Sequence, residues 1–424
     1  MEEKPIQVVN VVVIPESTEK SISNLKFWLL TSVLFIGCIA NGLVDTIRSI
    51  TFPLMKEDLN LNYSQYGMLV GMGQFTYLFW ALAIAFGMEH WGFKGPFFVS
   101  FIFSILGSFG TAYTRSFWVI MLLQFFAACV TGTLDDGCSA LAVLLFKKYA
   151  AALFSLMTAM YGLGAFLGPL FAEWVYSTYK SMSYRGVYIA ICIPLIIMGI
   201  YTLCVPFAIK KPAKSEHNKT TVLSYLISPI MWYLALAFFF LVVAERGTLN
   251  WGTMYVVDVL KLSEAEGAKL NSRFFLIYTI ARIFGGIFAD WMGPFTMLYI
   301  FLAIAMGLYI VGFALGVKGL WVLPFTGAFV SLFYTAFIMV CKRYGKEQSS
   351  LMVACLLPMQ ALIAMVGQWL FGVLNDKYGA KWAYWLSAPA CAIALVMLVL
   401  FHSMVLKKEK MEEKRKESLL GNAI

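Results

Sequence analysis

Acidic residues interrupt otherwise apolar stretches at three places, Asp45, Asp135–Asp136 and Glu245, and two of them have an arginine beside them, Arg48 and Arg246. A charge at the centre of a bilayer costs roughly 2.5–3.5 kcal/mol on insertion scales, so it persists where it faces a wet cavity or an opposite charge. Such positions are the first candidates for binding a solute, an ion or a proton. Residues three and four apart share a helix face. Asn41, Asp45 and Arg48 form one such stripe, and Gln124, Thr131, Asp135 and Cys138 another, with Asp136 turned about 100° away. Glu245, Thr248, Gly252 and Tyr255 share a face, and Arg246 and Asn250 the next one. Asn271, Tyr278 and Arg282 align, as do Gln360, Ala364 and Gln368.

Two adjacent carboxyls at 135–136 cannot both stay ionised cheaply in a low dielectric, so one needs a proton or an arginine partner. A carboxylate that gains and loses a proton within one cycle is what proton coupling requires, and Asp45, Asp135 and Asp136 are its candidates. Sodium coupling, uniport and a purely structural network are the alternatives. Arg48 and Arg246 are expected as charge partners. Asn41, Gln74, Gln124, Glu245, Asn250, Trp251, Tyr255, Tyr278, Gln360 and Gln368 are expected as solute-binding residues. Asp45–Arg48 also reads as a buried structural pair, and Arg282 as a gating or snorkelling residue. No nucleophile–base arrangement, metal-ligand cluster or phosphate loop is present, so an enzyme is disfavoured and neither cofactor nor metal is expected. The eight cysteines lack metal spacing and read as small packing residues.

The elements that must position these residues are membrane helices. Of 424 residues, 61% are hydrophobic and 13% charged, against about 25% charged in a soluble domain. Apolar runs long enough to cross a ~30 Å hydrocarbon core recur throughout, at 26–51, 64–86, 95–113, 117–146, 150–177, 185–207, 223–257, 265–289, 295–315, 320–341, 347–375 and 381–405. The chain therefore reads as an all-α, twelve-span bundle. The Lys-rich segment 208–222 divides it into six-helix halves at 26–207 and 223–405, with polar tails at 1–25 and 406–424. Lys and Arg concentrate in both tails and in the loops on the same side, which by the positive-inside rule puts both termini in the cytoplasm of a plasma or organelle membrane. Trp80, Trp251 and Trp369 are the tryptophans expected at a cavity, with Trp28, Trp91, Trp118, Trp291, Trp321 and Trp382 expected in interfacial belts. A monomer with no nucleic-acid partner is expected.

The halves look related. Pro53-Leu-Met-Lys-Glu-Asp-Leu-Asn-Leu before Gly67 has a counterpart in Tyr255-Val-Val-Asp-Val-Leu-Lys-Leu before Gly267, the kind of internal repeat typical of transporters with a site at the midplane. Gly286-Ile-Phe-Ala-Asp-Trp-Met-Gly293, Gly372-Val-Leu-Asn-Asp-Lys-Tyr-Gly379 and a weaker copy through Glu89 and Gly92 resemble the G-x-x-x-D-[RK]-x-G loop signature of the major facilitator superfamily. The resemblance implies two pseudo-symmetric six-helix bundles around a central cavity lined by the first, fourth, seventh and tenth spans. It implies rocker-switch alternating access, with Glu89, Gly92, Arg282, Asp290, Gly293, Asp376 and Gly379 as gating positions. Glu89 and His90 stand where Asp and Arg are usual, and no basic residue follows Asp290.

Within that superfamily, Gly132-Thr-Leu-Asp-Asp-Gly-Cys-Ser resembles the fourth-helix signature of the fucose:proton symporter family. Asp45, Glu245-to-Tyr255 and Tyr161-Gly-Leu-Gly-Ala-Phe-Leu-Gly-Pro also fit, while Ser139 and Thr158 replace an expected Asn and His. This implies proton symport of a small polar solute, with a monosaccharide in view. Gly164-Ala-Phe-Leu-Gly-Pro169 resembles an element of drug:proton antiporters, and export of drug-like compounds is the alternative. Close helix packing explains the same glycines.

Overall fold

The computed structural model describes residues 24–146, 150–207, 227–333, 336, 339–341, 349–379 and 384–421, and among these it is helical with no strand. The expected linker at 208–222 and nearly all of the N-terminal tail lie outside the described residues. The helices are α1 (Asn24–Asp58), α2 (Tyr63–Trp91), α3 (Lys94–Tyr113), α4 (Phe117–Ala127), α5 (Cys129–Leu145), α6 (Ala150–Thr178) and α7 (Tyr184–Cys204). They continue with α8 (Pro229–Met254), α9 (Glu264–Met292), α10 (Pro294–Ala314), α11 (Thr326–Val330), α12 (Ser349–Tyr378) and α13 (Ser387–Gly421). Ten spans are individually long and apolar enough to cross a bilayer, one of them formed by α4 and α5 together. The other two passes of the twelve-span fold are α9, which is long but carries Glu264, Glu266, Lys269, Arg273 and Arg282, and the broken segment that begins with α11.

Local chemistry sets several boundaries. Asn62 and Gln65 form a capping box at the start of α2, each side chain accepting the other residue's backbone N–H. Prolines open α8 and α10 at their first turn, where a missing N–H costs nothing. The fourth span is not one helix as expected. It breaks at Ala128, and Thr131 turns its hydroxyl back onto the Ala128 carbonyl. The last helix runs beyond its expected span to Gly421, through a Lys- and Glu-rich stretch of good helix formers.

Glycines bring helices into backbone contact. In the α1–α6 pair, a Cβ at Gly42 would strike the Tyr161 carbonyl and one at Gly164 the Ile39 carbonyl. Packing therefore accounts for the Gly164–Pro169 element. Across the two halves, Gly67 and Gly71 of α2 lie against the Gln368 and Met365 carbonyls of α12, and Gly372 against Tyr63.

Alternate helices run in opposite directions, so the ends of α1 and α12 and the starts of α2 and α13 share one face of the bundle. We call this the far face, and the face bearing the start of α1 the terminal face.

Candidate functional site

Asp45 is the hub. It sits about 20 Å below the far end of α1 at the helical rise of ~1.5 Å per residue. One of its oxygens accepts from Arg48 at 2.5 Å. The other accepts from Arg246 of α8 at 2.7 Å and from the Tyr161 hydroxyl of α6 at 2.8 Å. Arg48 is thus held along its own helix, while Arg246 ties the second half of the chain to the first. The arginine side chain remains 34% exposed, so part of its guanidinium is open.

A second cluster lies at the same depth. The Tyr278 hydroxyl of α9 donates to Glu245 at 2.7 Å, and the Arg282 guanidinium sits 5.2 Å from the centre of the Tyr278 ring. Arg282 makes no ion pair with a described residue. Opposite, Tyr77 of α2 donates to Asp135 at 2.8 Å and lies 3.4 Å from Asp136. Both aspartates are exposed. Asp135 lies within electrostatic reach of Arg246, Arg282 and Asp45, whereas Asp136 feels Asp135 and no arginine. Helical rise puts Asp135 and Arg282 about 27 Å from the far ends of the fourth span and of α9, roughly one helical turn deeper than Asp45. One layer near mid-membrane therefore collects Asp45, Arg48, Asp135, Glu245, Arg246, Tyr278 and Arg282.

Above this layer the far face is sealed. The Trp251 indole donates to Gln368 at 2.8 Å, and Tyr66 donates to the Asn250 carbonyl at 2.6 Å while its ring packs 4.8 Å from Trp251. At the rim, Asp376 of α12 accepts the Tyr63 and Ser64 backbone N–H groups at 2.7 and 2.8 Å, and the Ser64 hydroxyl as well. Those are the first two unsatisfied donors of α2, so a carboxylate of one half caps a helix of the other. Tyr63 also donates to Asp258 at 2.9 Å, with Lys56 3.7 Å from the same carboxylate. Solvent therefore reaches the charged layer from the terminal face.

Several expected positions sit elsewhere. Gln124 is engaged inside the first half, donating to Thr111 at 3.1 Å and accepting from Tyr188 at 3.2 Å. It lines a small cavity with Arg48, Thr76, Thr131 and Tyr188. Tyr255 is 2% exposed and packs on Phe313 and Tyr384. Asn41 and Gln360 are buried, the Gln360 amide nitrogen without a hydrogen-bond partner among the described residues, and Gln74 is half-buried. Of the tryptophans expected at the cavity, Trp251 is buried in the seal above the charged layer. Trp80 spends its indole N–H on the Phe125 carbonyl, and Trp369 is on the exterior.

The glycines expected at gating positions, Gly92, Gly293 and Gly379, all take positive φ, at 74°, 75° and 104°. Gly92 and Gly293 are on the terminal face with Glu89 and Asp290, whereas Asp376 and Gly379 are on the far face. The three similar turns thus serve opposite ends of the bundle. Tyr77, Tyr161, Tyr63, Ser64, Tyr66 and Asp258 were not singled out from sequence. A tyrosine inside a span looks like any core aromatic until its hydroxyl has a partner, although Asp258 falls in the repeated segment after Tyr255.

The family model described as Major Facilitator Superfamily matches residues 34–337. No curated protein matches the chain by sequence. Among solved structures, a bacterial homolog of the human lysosomal transporter Spinster, in an inward-facing and occupied conformation, superposes with a TM-score of 0.70 at 14% identity, over 90% of this chain and 96% of that one. The Escherichia coli fucose:proton symporter gives 0.60 at 17% identity, over 89% and 98%. A D-xylose–proton symporter gives 0.71 at 13% identity, over 89% and 97%. At these identities the likeness is one of fold.

Proposed function

The chain belongs to the major facilitator superfamily, a family of carriers rather than enzymes, and from that premise we propose that it moves a small polar solute together with a proton. The observation that carries the reading is Asp135. Its carboxylate is exposed at mid-membrane depth, is bonded to a single tyrosine hydroxyl, and faces two arginines of the other half. Asp45, by contrast, has both oxygens taken up by three donors. It serves as the anchor between the halves, and Asp135 as the group that loads and unloads the proton. With both termini in the cytoplasm, the sealed far face is the outer one and the structure is inward-facing. That is also the state described for the Spinster homolog with which it superposes. The fucose and xylose symporters among its structural neighbours make a monosaccharide the first solute to try.

The test is uptake of labelled monosaccharides into proteoliposomes with and without an inward proton gradient. Gradient-driven accumulation that Asp135→Asn abolishes, while solute exchange persists, supports the reading. Normal accumulation by that variant refutes the assignment. Proton efflux driven by hydrophobic cations, with no uptake, moves the protein to the antiporter class.

A further inference from the structure

Sugars and other neutral solutes bring no charge into a site, yet three guanidinium groups gather around the carboxylates. Arg48 is committed to Asp45. Arg246 gives Nη1 to the same carboxylate, and about a third of its side chain stays exposed. Arg282 lies over the ring of Tyr278 and has no ion-pair partner among the described residues. Against them stand Asp45, Glu245 and the Asp135–Asp136 pair. Glu245 already accepts from Tyr278, and Asp136 sits beside Asp135 and 3.4 Å from the Tyr77 hydroxyl.

Adjacent carboxyls in such surroundings hold about one negative charge between them. On that count the layer is neutral when the pair is unloaded, with three positive charges against three negative. Taking up a proton on Asp135 leaves one positive charge in excess, located on the two arginines that Asp135 faced. When the site closes to water during the crossing, the layer does not carry a bare charge cheaply. The missing negative charge must come with the solute.

We propose, resting on the proton-coupled reading above, that the solute is an organic anion bearing a carboxylate. Its carboxylate occupies the open guanidinium edges of Arg282 and Arg246 once Asp135 is protonated. A guanidinium fork matches a carboxylate in a bidentate geometry that a hydroxyl cannot reproduce. Proton and anion then bind each other's vacancy: neither is favourable alone, and together they restore the neutral layer that can rearrange across the membrane. One proton on Asp135 and one carboxylate charge cross together, so the cycle moves no net charge.

The experiment compares glucuronate and lactate with glucose in proteoliposomes, with a proton gradient and with the membrane potential set separately by potassium and valinomycin. The expected result is gradient-driven uptake of a carboxylate, unchanged by the potential, with glucose excluded. Arg282→Gln should raise the KM for that carboxylate at least tenfold, and Arg282→Lys should recover part of the loss. Melting curves and size-exclusion profiles of both variants establish that they are folded. Gradient-driven uptake of glucose with no carboxylate uptake overturns the anion proposal and leaves the proton reading standing. Carboxylate uptake indifferent to the gradient sinks the proton reading instead. Uptake of neither, with no thermal stabilisation of the purified protein by either carboxylate, overturns the proposal.

Discussion

Replacing Asp376 by alanine should release the far face without unfolding either half. The carboxylate accepts two backbone N–H groups and a hydroxyl at the start of α2, all from the opposite half of the chain. Loss of a side-chain cap costs about 0.5–2 kcal/mol. Asp376 is exposed, so water replaces part of what is lost, and a net of about 1–1.5 kcal/mol is the expected penalty on the sealed state. Since 1.4 kcal/mol is tenfold in an equilibrium constant, the ratio of far-open to far-closed molecules should rise about five- to tenfold. Spin labels at Tyr113→Cys and Leu315→Cys, both exposed at the far ends of α3 and α10, report the separation of the halves by pulsed electron resonance. The exposed Cys204 is replaced by serine to keep labelling specific. Asp376→Asn keeps an acceptor but loses the charge and should fall between parent and alanine. A distance distribution in Asp376→Ala that matches the parent, with a normal melting curve, would refute the idea that this cap holds the far face shut.

Other consequences follow from the same contacts. Removing Arg246 (Arg246→Gln) leaves Asp45 with Arg48 and the Tyr161 hydroxyl. The full cost of breaking a buried pair, about 3–5 kcal/mol, is reduced here because the arginine is 34% exposed. A double-mutant cycle with Asp45→Asn on thermal or denaturant stability should return a coupling of about 1 kcal/mol, and strict additivity would show that the two do not interact. Gly67→Ala puts a methyl group against the Gln368 carbonyl where α2 meets α12. It should lower transport at least tenfold and lengthen the far-face spin-label distance while expression is unchanged. Wild-type transport would mean that the close approach is not needed for function. Trp251→Phe removes the hydrogen bond to buried Gln368 within the second half and should cost about 1–2 kcal/mol of stability, readable as a lower melting temperature.

The apolar runs, the polar stripes and the repeated turns could be read directly from the chain, because hydrophobic length and helical spacing are local properties. The Asp45–Arg48 contact is also local, one helical turn apart, and it forms as its spacing allows. Asp45–Arg246 is a different matter. Its partners are 201 residues apart, and nothing in either span specifies which face of the bundle will meet the other. Gln124 shows how far the stripe argument reaches. It shares a helix face with Asp135 on paper, but the break at Ala128 re-aims the first part of that span, and Gln124 turns to Thr111 and Tyr188. A period of 3.6 residues holds only while the helix is continuous.

Asp376 makes the same point for the turns. The motif predicts a glycine at positive φ, a backbone property set by sequence, and φ is positive at all three positions. Which side of the bundle each turn serves depends on how many times the chain has crossed before it. What the carboxylate caps depends on α2 and α12 meeting. Sequence alone thus determined that this chain crosses a membrane many times, that it keeps charges within those crossings, and where its turns fall. Tertiary structure alone decided which charges share a layer, which hydroxyls serve them and which face is shut, because those are encounters between surfaces far apart in the chain. No local rule fixes them until the helices pack.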